Sequence, residues 1–68
     1  MRNYYVNKNE QSNRDHEVHT SDCMYVPSPL NRIYLGIFSD CESAVSEAKK
    51  TYSKSNGCKT CCNECHTS

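Results

Sequence analysis

The chain of 68 residues contains no tryptophan, a single phenylalanine, two glycines and two prolines. Without tryptophan, and with a hydrophobic fraction of 35% and a mean hydropathy of −0.89, only a thin core can form. A chain this short hides too little apolar surface to be generously stable, so a covalent or metal staple is expected. Long apolar runs are also missing. No segment approaches the roughly 18 apolar residues of a membrane span, and the N-terminal MRNYYVNKNEQSNRD has no apolar leader region. The chain is therefore expected to be cytoplasmic, with no membrane contact. Charge of one sign is lacking too: eight basic residues balance eight acidic ones, and the net charge is zero. No global field draws the protein to phosphates, and strong DNA binding is not expected. Two glycines exclude a phosphate-cradling Gly-rich loop. The carboxylates are scattered and no Ser-His-Asp order exists, so a conventional hydrolase is not expected.

Cysteine, by contrast, is abundant. There are six in the chain, and Cys58, Cys61, Cys62, Cys65 and the neighbouring His66 fall within nine residues. In a reduced compartment such density points to a metal rather than to a disulfide scaffold. A secreted, disulfide-rich protein is the competing reading.

Upstream, Tyr4-Tyr5-Val6 and Glu17-Val18-His19 are β-prone runs on either side of a polar stretch, which predicts a hairpin with a long loop. Pro27-Ser28-Pro29 predicts an extended connector that excludes helix. Arg32–Phe38 alternates strictly, with Ile33, Leu35 and Ile37 on one face and Tyr34 and Phe38 on the other, so a strand covered on both sides is predicted. Gly36 within it is expected to admit a close neighbour. Ser39-Asp40-Cys41-Glu42 fits a capping box that opens a helix. Its apolar stripe is Cys41, Ala44, Val45, Ala48 and Tyr52, and Asn56-Gly57 is expected to end it. Cys41 on that stripe reads as a small core hydrophobe. The sum is a single α+β domain over residues 1–68, a hairpin and a central strand packed on one main helix.

Two thiols in a C-x2-C turn, as at Cys58 and Cys61, converge on one tetrahedral ion, and zinc needs two further ligands. His19 and Cys23, four residues apart where a strand ends, supply an imidazole and a thiol. The four make a split Zn²⁺ site that closes a loop of roughly 40 residues, so that metal binding becomes folding energy. Cys62-x2-Cys65 is a second, overlapping C-x2-C. Cys62, Cys65, His66 and His16 therefore stand as alternative ligands, and Cys62 and Cys65 as thiols that pack inward or pair with each other.

His19-x3-Cys23, Asn31-Arg32 before the strand, Phe38-Ser39 with a helix carrying Glu42 and Ala44, and Cys58-Lys59-x-Cys61 together resemble the bacterial Ada-type zinc-binding module. The resemblance runs over residues 4 to 66. It implies an α+β fold with one Zn²⁺ held by His19, Cys23, Cys58 and Cys61. The family includes a protein that binds zinc with cysteines alone and accepts methyl groups from DNA on one of them. Here His19 replaces one thiolate, the basic residues after the last two cysteines are reduced to Lys59, and Cys62 and Cys65 are additions. These departures imply a structural module that binds an unidentified macromolecular partner, with Tyr4, Tyr5, Tyr25 and Tyr34 as candidate contacts. A reactive thiolate that accepts an alkyl group or exchanges redox equivalents is the alternative.

Overall fold

Strand β1 (Arg2–Asn7) and strand β2 (His16–Thr20) form the expected antiparallel hairpin, with Tyr4 opposite Thr20 and Val6 opposite Val18 in the computed structural model, which describes residues 1–66. Alternation along these strands turns Tyr4, Val6 and Val18 to one face, where all three are buried. Asn3, Tyr5, Glu17 and His19 point to the other. The polar loop between the strands is tied by Arg14, whose N–H donates to the Gln11 carbonyl and whose φ of 71° lies in the left-handed region.

Strand β3 (Arg32–Phe38) pairs antiparallel with the outer edge of β1, so it is an edge strand rather than a central one. Its alternation is also not strict. Tyr4 faces Gly36 but Tyr5 faces Tyr34, so Leu35 is the extra residue of a β-bulge. Beyond the bulge the pattern reverses: Phe38 packs on the core with Ile33 and Leu35, while Ile37 is 56% exposed. Gly36 sits at φ +127°, a backbone conformation that L side chains rarely adopt. Its role is this conformation, since a Cβ there would make only ordinary contacts with the Phe38 ring. On the outer face Tyr5 lies against Tyr34 with ring centroids 5.3 Å apart, and the Arg32 guanidinium covers the Tyr5 ring at 4.2 Å.

The connector before β3 contains a 3-10 turn at Pro29–Asn31, where the expectation was purely extended chain. Proline in the first turn loses no hydrogen bond, because that N–H has no partner in any helix.

Helix α1 (Cys41–Ala48) begins one residue later than a Ser39 cap would place it. Asp40 is the N-cap, and its carboxylate accepts from the Ser43 N–H at 2.9 Å. That bond holds the Asp40 carboxyl below its ordinary range. The helix buries Cys41, Ala44 and Ala48, and the two alanines have no exposed surface at all, which lets it lie close on the sheet. It does not continue to Asn56-Gly57. The chain leaves α-helical form after Ala48 through tight turns, with Thr51 N–H and Tyr52 N–H both donating to the Ala48 carbonyl. Ser55–Gly57 is instead strand β4, parallel to β2 at the opposite edge of the sheet. The architecture is a small α+β domain: a four-stranded mixed sheet of order β3-β1-β2-β4 with one helix on its inner face.

Candidate metal centre

The pairing of β2 with β4 ends at Val18 opposite Gly57, and Cys58 N–H donates to the Val18 carbonyl at 2.9 Å. One step further along each chain, His19 and Cys58 become neighbours. Each is then followed by a turn that returns a thiol. After His19, Cys23 N–H donates to the Thr20 carbonyl, and the Thr20 hydroxyl fixes that turn by donating to Asp22 at 2.7 Å. After Cys58, Cys62 N–H donates to the Cys58 carbonyl at 2.8 Å, forming the single turn that carries Cys61.

The outcome is a cluster of His19, Cys23, Cys58 and Cys61, the same four residues singled out in the sequence, whose Nδ1 and Sγ atoms all lie within 4.8 Å of one another. Cys23 Sγ is 3.6 Å from His19 Nδ1 and 4.0 Å from Cys58 Sγ, and Cys61 Sγ is 3.9 Å from His19 Nδ1. Ligand atoms around a tetrahedral zinc are spaced by about 3.5 to 3.8 Å, given bonds of about 2.0 to 2.3 Å. The cluster thus has the size and donor chemistry of a site that could hold a metal ion. His19, Cys23 and Cys58 are buried and Cys61 is half-buried.

Two neighbours of the cluster were not anticipated in the sequence. Glu17 Oε1 lies 3.7 Å from His19 Nε2, on the far side of the ring from the thiols. That is too long for a direct hydrogen bond, but it places a carboxylate where it favours a proton on Nε2 and leaves Nδ1 as the donor atom. The signal was present as the i, i+2 spacing, which puts Glu17 and His19 on one face of a strand. The Thr20 backbone N–H points at Cys61 Sγ at 3.4 Å, a contact that stabilises a thiolate. Burial lowers the pKa of His19, partly opposed by Glu17, so the ring is held neutral. Burial, and then the neighbouring Cys61 thiol, push the Cys23 pKa up.

The alternative ligands lie elsewhere. His16 stacks on Tyr52 at 3.8 Å, and its Nδ1 donates to the Asn7 carbonyl at 2.9 Å. His66 Nδ1 donates to the Gly57 carbonyl at 3.1 Å. Cys62 is buried in the core, its Sγ 3.9 Å from that of Cys61, and burial raises its pKa to about 12. Cys65 is bonded to Cys41 in a disulfide that spans 24 residues. Cys41 does belong to the core, as its place on the helix stripe suggested, but it is not a lone hydrophobe. Cys62 and Cys65 do not pair with each other. No spacing rule relates Cys41 to Cys65, because their approach depends on how the helix docks.

Among the described residues, no helix is long and apolar enough to cross a membrane. Set against known proteins, the chain matches no family model, no curated protein and no solved structure. The likeness to the Ada-type module accordingly rests on the His19, Cys23, Cys58 and Cys61 constellation and its spacing.

Proposed function

We propose that this chain is a single structural zinc-binding domain over residues 1–68, which holds one Zn²⁺ through His19, Cys23, Cys58 and Cys61 and serves as an interaction module for another macromolecule. The observation that carries the reading is the convergence of one imidazole nitrogen and three sulfurs within 4.8 Å from two separate turns. A set of soft thiolates with one imidazole suits zinc. A metal held there would fasten the turn after β2 to the turn after β4, and its chemical contribution would be cohesion. Glu17 would orient the imidazole and the Thr20 N–H would support the Cys61 thiolate. The exposed Tyr25 and Tyr34 provide the contact surface in this reading. The reading requires the Cys23, Cys58 and Cys61 thiols to stay reduced, beside a Cys41–Cys65 pair that is oxidised.

Native mass spectrometry with elemental analysis tests the proposal. One zinc per chain is expected, lost in Cys23→Ser and in Cys58→Ser but retained in Cys62→Ala. Zinc retained by Cys58→Ser would mean that the ligand set is wrong.

One observation favours the reactive-thiolate reading: Cys61 is half-buried and lines an open cleft together with Arg2, Tyr4, Asp40 and Thr60. Replacement of one thiolate by His19 reduces the negative charge of the centre and so the nucleophilicity of its sulfurs. Incubation with DNA carrying methyl phosphotriesters should therefore leave the protein mass unchanged, and a gain of one methyl on Cys61 would decide for the reactive reading.

A further inference from the structure

The nine residues from Gly57 to Cys65 carry two overlapping C-x2-C pairs, Cys58/Cys61 and Cys62/Cys65, and the structure uses them differently. The first pair faces His19 and Cys23, whereas Cys65 of the second is bonded to Cys41 at the first residue of α1. The bridge therefore takes one competing thiol out of reach of a metal. It also anchors the far end of the turn that carries Cys58 and Cys61. That turn packs tightly beneath the bridge, since a Cβ placed on Gly57 would lie 2.7 Å from Cys65 Cβ and 2.7 Å from the Cys62 carbonyl oxygen. Both cysteines of the bridge border open clefts. Cys65 lines one of 340 Å³ with Val45 and Glu64, and Cys41 lines one of 470 Å³ with Tyr4, Cys61 and Cys62.

We infer that the Cys41–Cys65 disulfide is a redox latch on the metal centre: the oxidised chain holds zinc at Cys58 and Cys61, and reduction by a dithiol weakens that hold. The inference rests on the zinc reading of the cluster. In the reduction, one thiolate of the dithiol attacks Cys65 Sγ, a mixed disulfide forms, and Cys41 leaves as a thiolate and takes a proton. The second thiol of the reductant then displaces Cys65. The reductant departs as a disulfide, having delivered two electrons and two protons. One consequence lowers the affinity for zinc: the turn bearing Cys58 and Cys61 loses its anchor, so more order must be imposed on binding. A compartment's thiol–disulfide poise would thereby set how firmly the module is closed.

The test uses the full chain purified without reductant, and zinc as the only added ion. Its affinity is measured by competition with a chromophoric chelator before and after reduction with a phosphine. Alkylation and mass measurement of the metal-free, unfolded chain count the thiols: four are expected before reduction and six after it. Zinc affinity is expected to fall by about tenfold or more on reduction, the scale on which supports outside the ligand shell act. A Cys41→Ser/Cys65→Ser double variant should bind as the reduced chain does and ignore the reductant. If that variant does not fold, the comparison within the wild-type chain still decides. Equal affinity before and after reduction, or six thiols in the unreduced chain, would overturn the latch and leave the zinc centre standing. Zinc binding by the reduced chain alone would also overturn only the latch, whereas failure of both forms to bind zinc would overturn both.

Discussion

His19 is 1% exposed and is the largest of the fully buried side chains, a place more often filled by an aliphatic residue. Its burial lowers the imidazole pKa below the usual 6.5, with Glu17 acting in the opposite direction. Between the lowered folded value and the unfolded one, the unfolded chain binds the extra proton. The stability that depends on His19 is thus complete above about pH 6.5 and is lost as pH falls through the lowered folded value. The buried Cys23 thiol, whose pKa is raised, adds a proton that a metal must displace. Zinc affinity measured from pH 8 down to pH 5 should therefore fall throughout, and more steeply below about pH 6.5. A flat profile would show that no thiol or imidazole proton is exchanged for the metal. Glu17→Gln removes the charge that favours a proton on Nε2, and zinc affinity should drop by about tenfold to a hundredfold with the fold retained. The four-residue cluster was legible in the sequence because each ligand pair is local, with a turn that needs only the right spacing. Glu17 required the strand register as well. The bonding of Cys65 was not legible, because it depends on Cys41, whose place on an apolar helix stripe was already explained by packing.

Legibility at the scale of elements follows the same division between local and distant causes. β1, β2, β3 and α1 were each readable from alternation, from apolar spacing or from an N-cap. β4 was not, since Ser55-Asn56-Gly57 has no strand-forming side chains and becomes a strand only by pairing with β2. The edge position of β3 and the bulge at Leu35 also escaped, because strict alternation looks the same in a central strand as in an edge strand. The two glycines separate these elements experimentally. Gly57→Ala would push its Cβ to within 2.7 Å of the Cys62 carbonyl oxygen and Cys65 Cβ, and backbone has nowhere to yield without moving the turn that carries Cys61. Gly57→Ala should lower both the melting temperature and zinc affinity. Gly36→Ala is strained by its φ of +127° but lies in the bulge, away from the cluster, so it should lower the melting temperature alone. Calorimetry paired with zinc competition distinguishes the two variants, and equal effects on zinc would mean that the C-terminal turn does not position the ligands.

At the scale of the whole molecule, the four candidate ligands occupy the seam where the fold has least else to hold it. The inner face of the sheet is closed by Tyr4, Val6, Val18 and the alanines of a two-turn helix, and of these only Val6 and Val18 are branched aliphatics with no exposed surface. β4 adds three residues with little side-chain volume, and its register beside β2 leads directly into the cluster. Structural zinc contributes apparent binding energies of about 10 to 16 kcal/mol in small domains, whereas whole domains are stable by only about 5 to 15 kcal/mol. Removing the metal would leave an imidazole and two thiols buried without it, and the turns after β2 and β4 would lose their common fastening. The disulfide does not substitute for this, since it joins the C-terminal turn to α1 and leaves Cys23 and the crossover to β3 unattached. Chelation of the oxidised protein should therefore abolish its cooperative thermal transition and most of its strand signal in circular dichroism, and zinc should restore both at one equivalent per chain. A metal-free protein that still melts cooperatively at the same temperature would show that the hydrophobic core and the disulfide suffice, and that the cluster is a binding site added to a fold already stable.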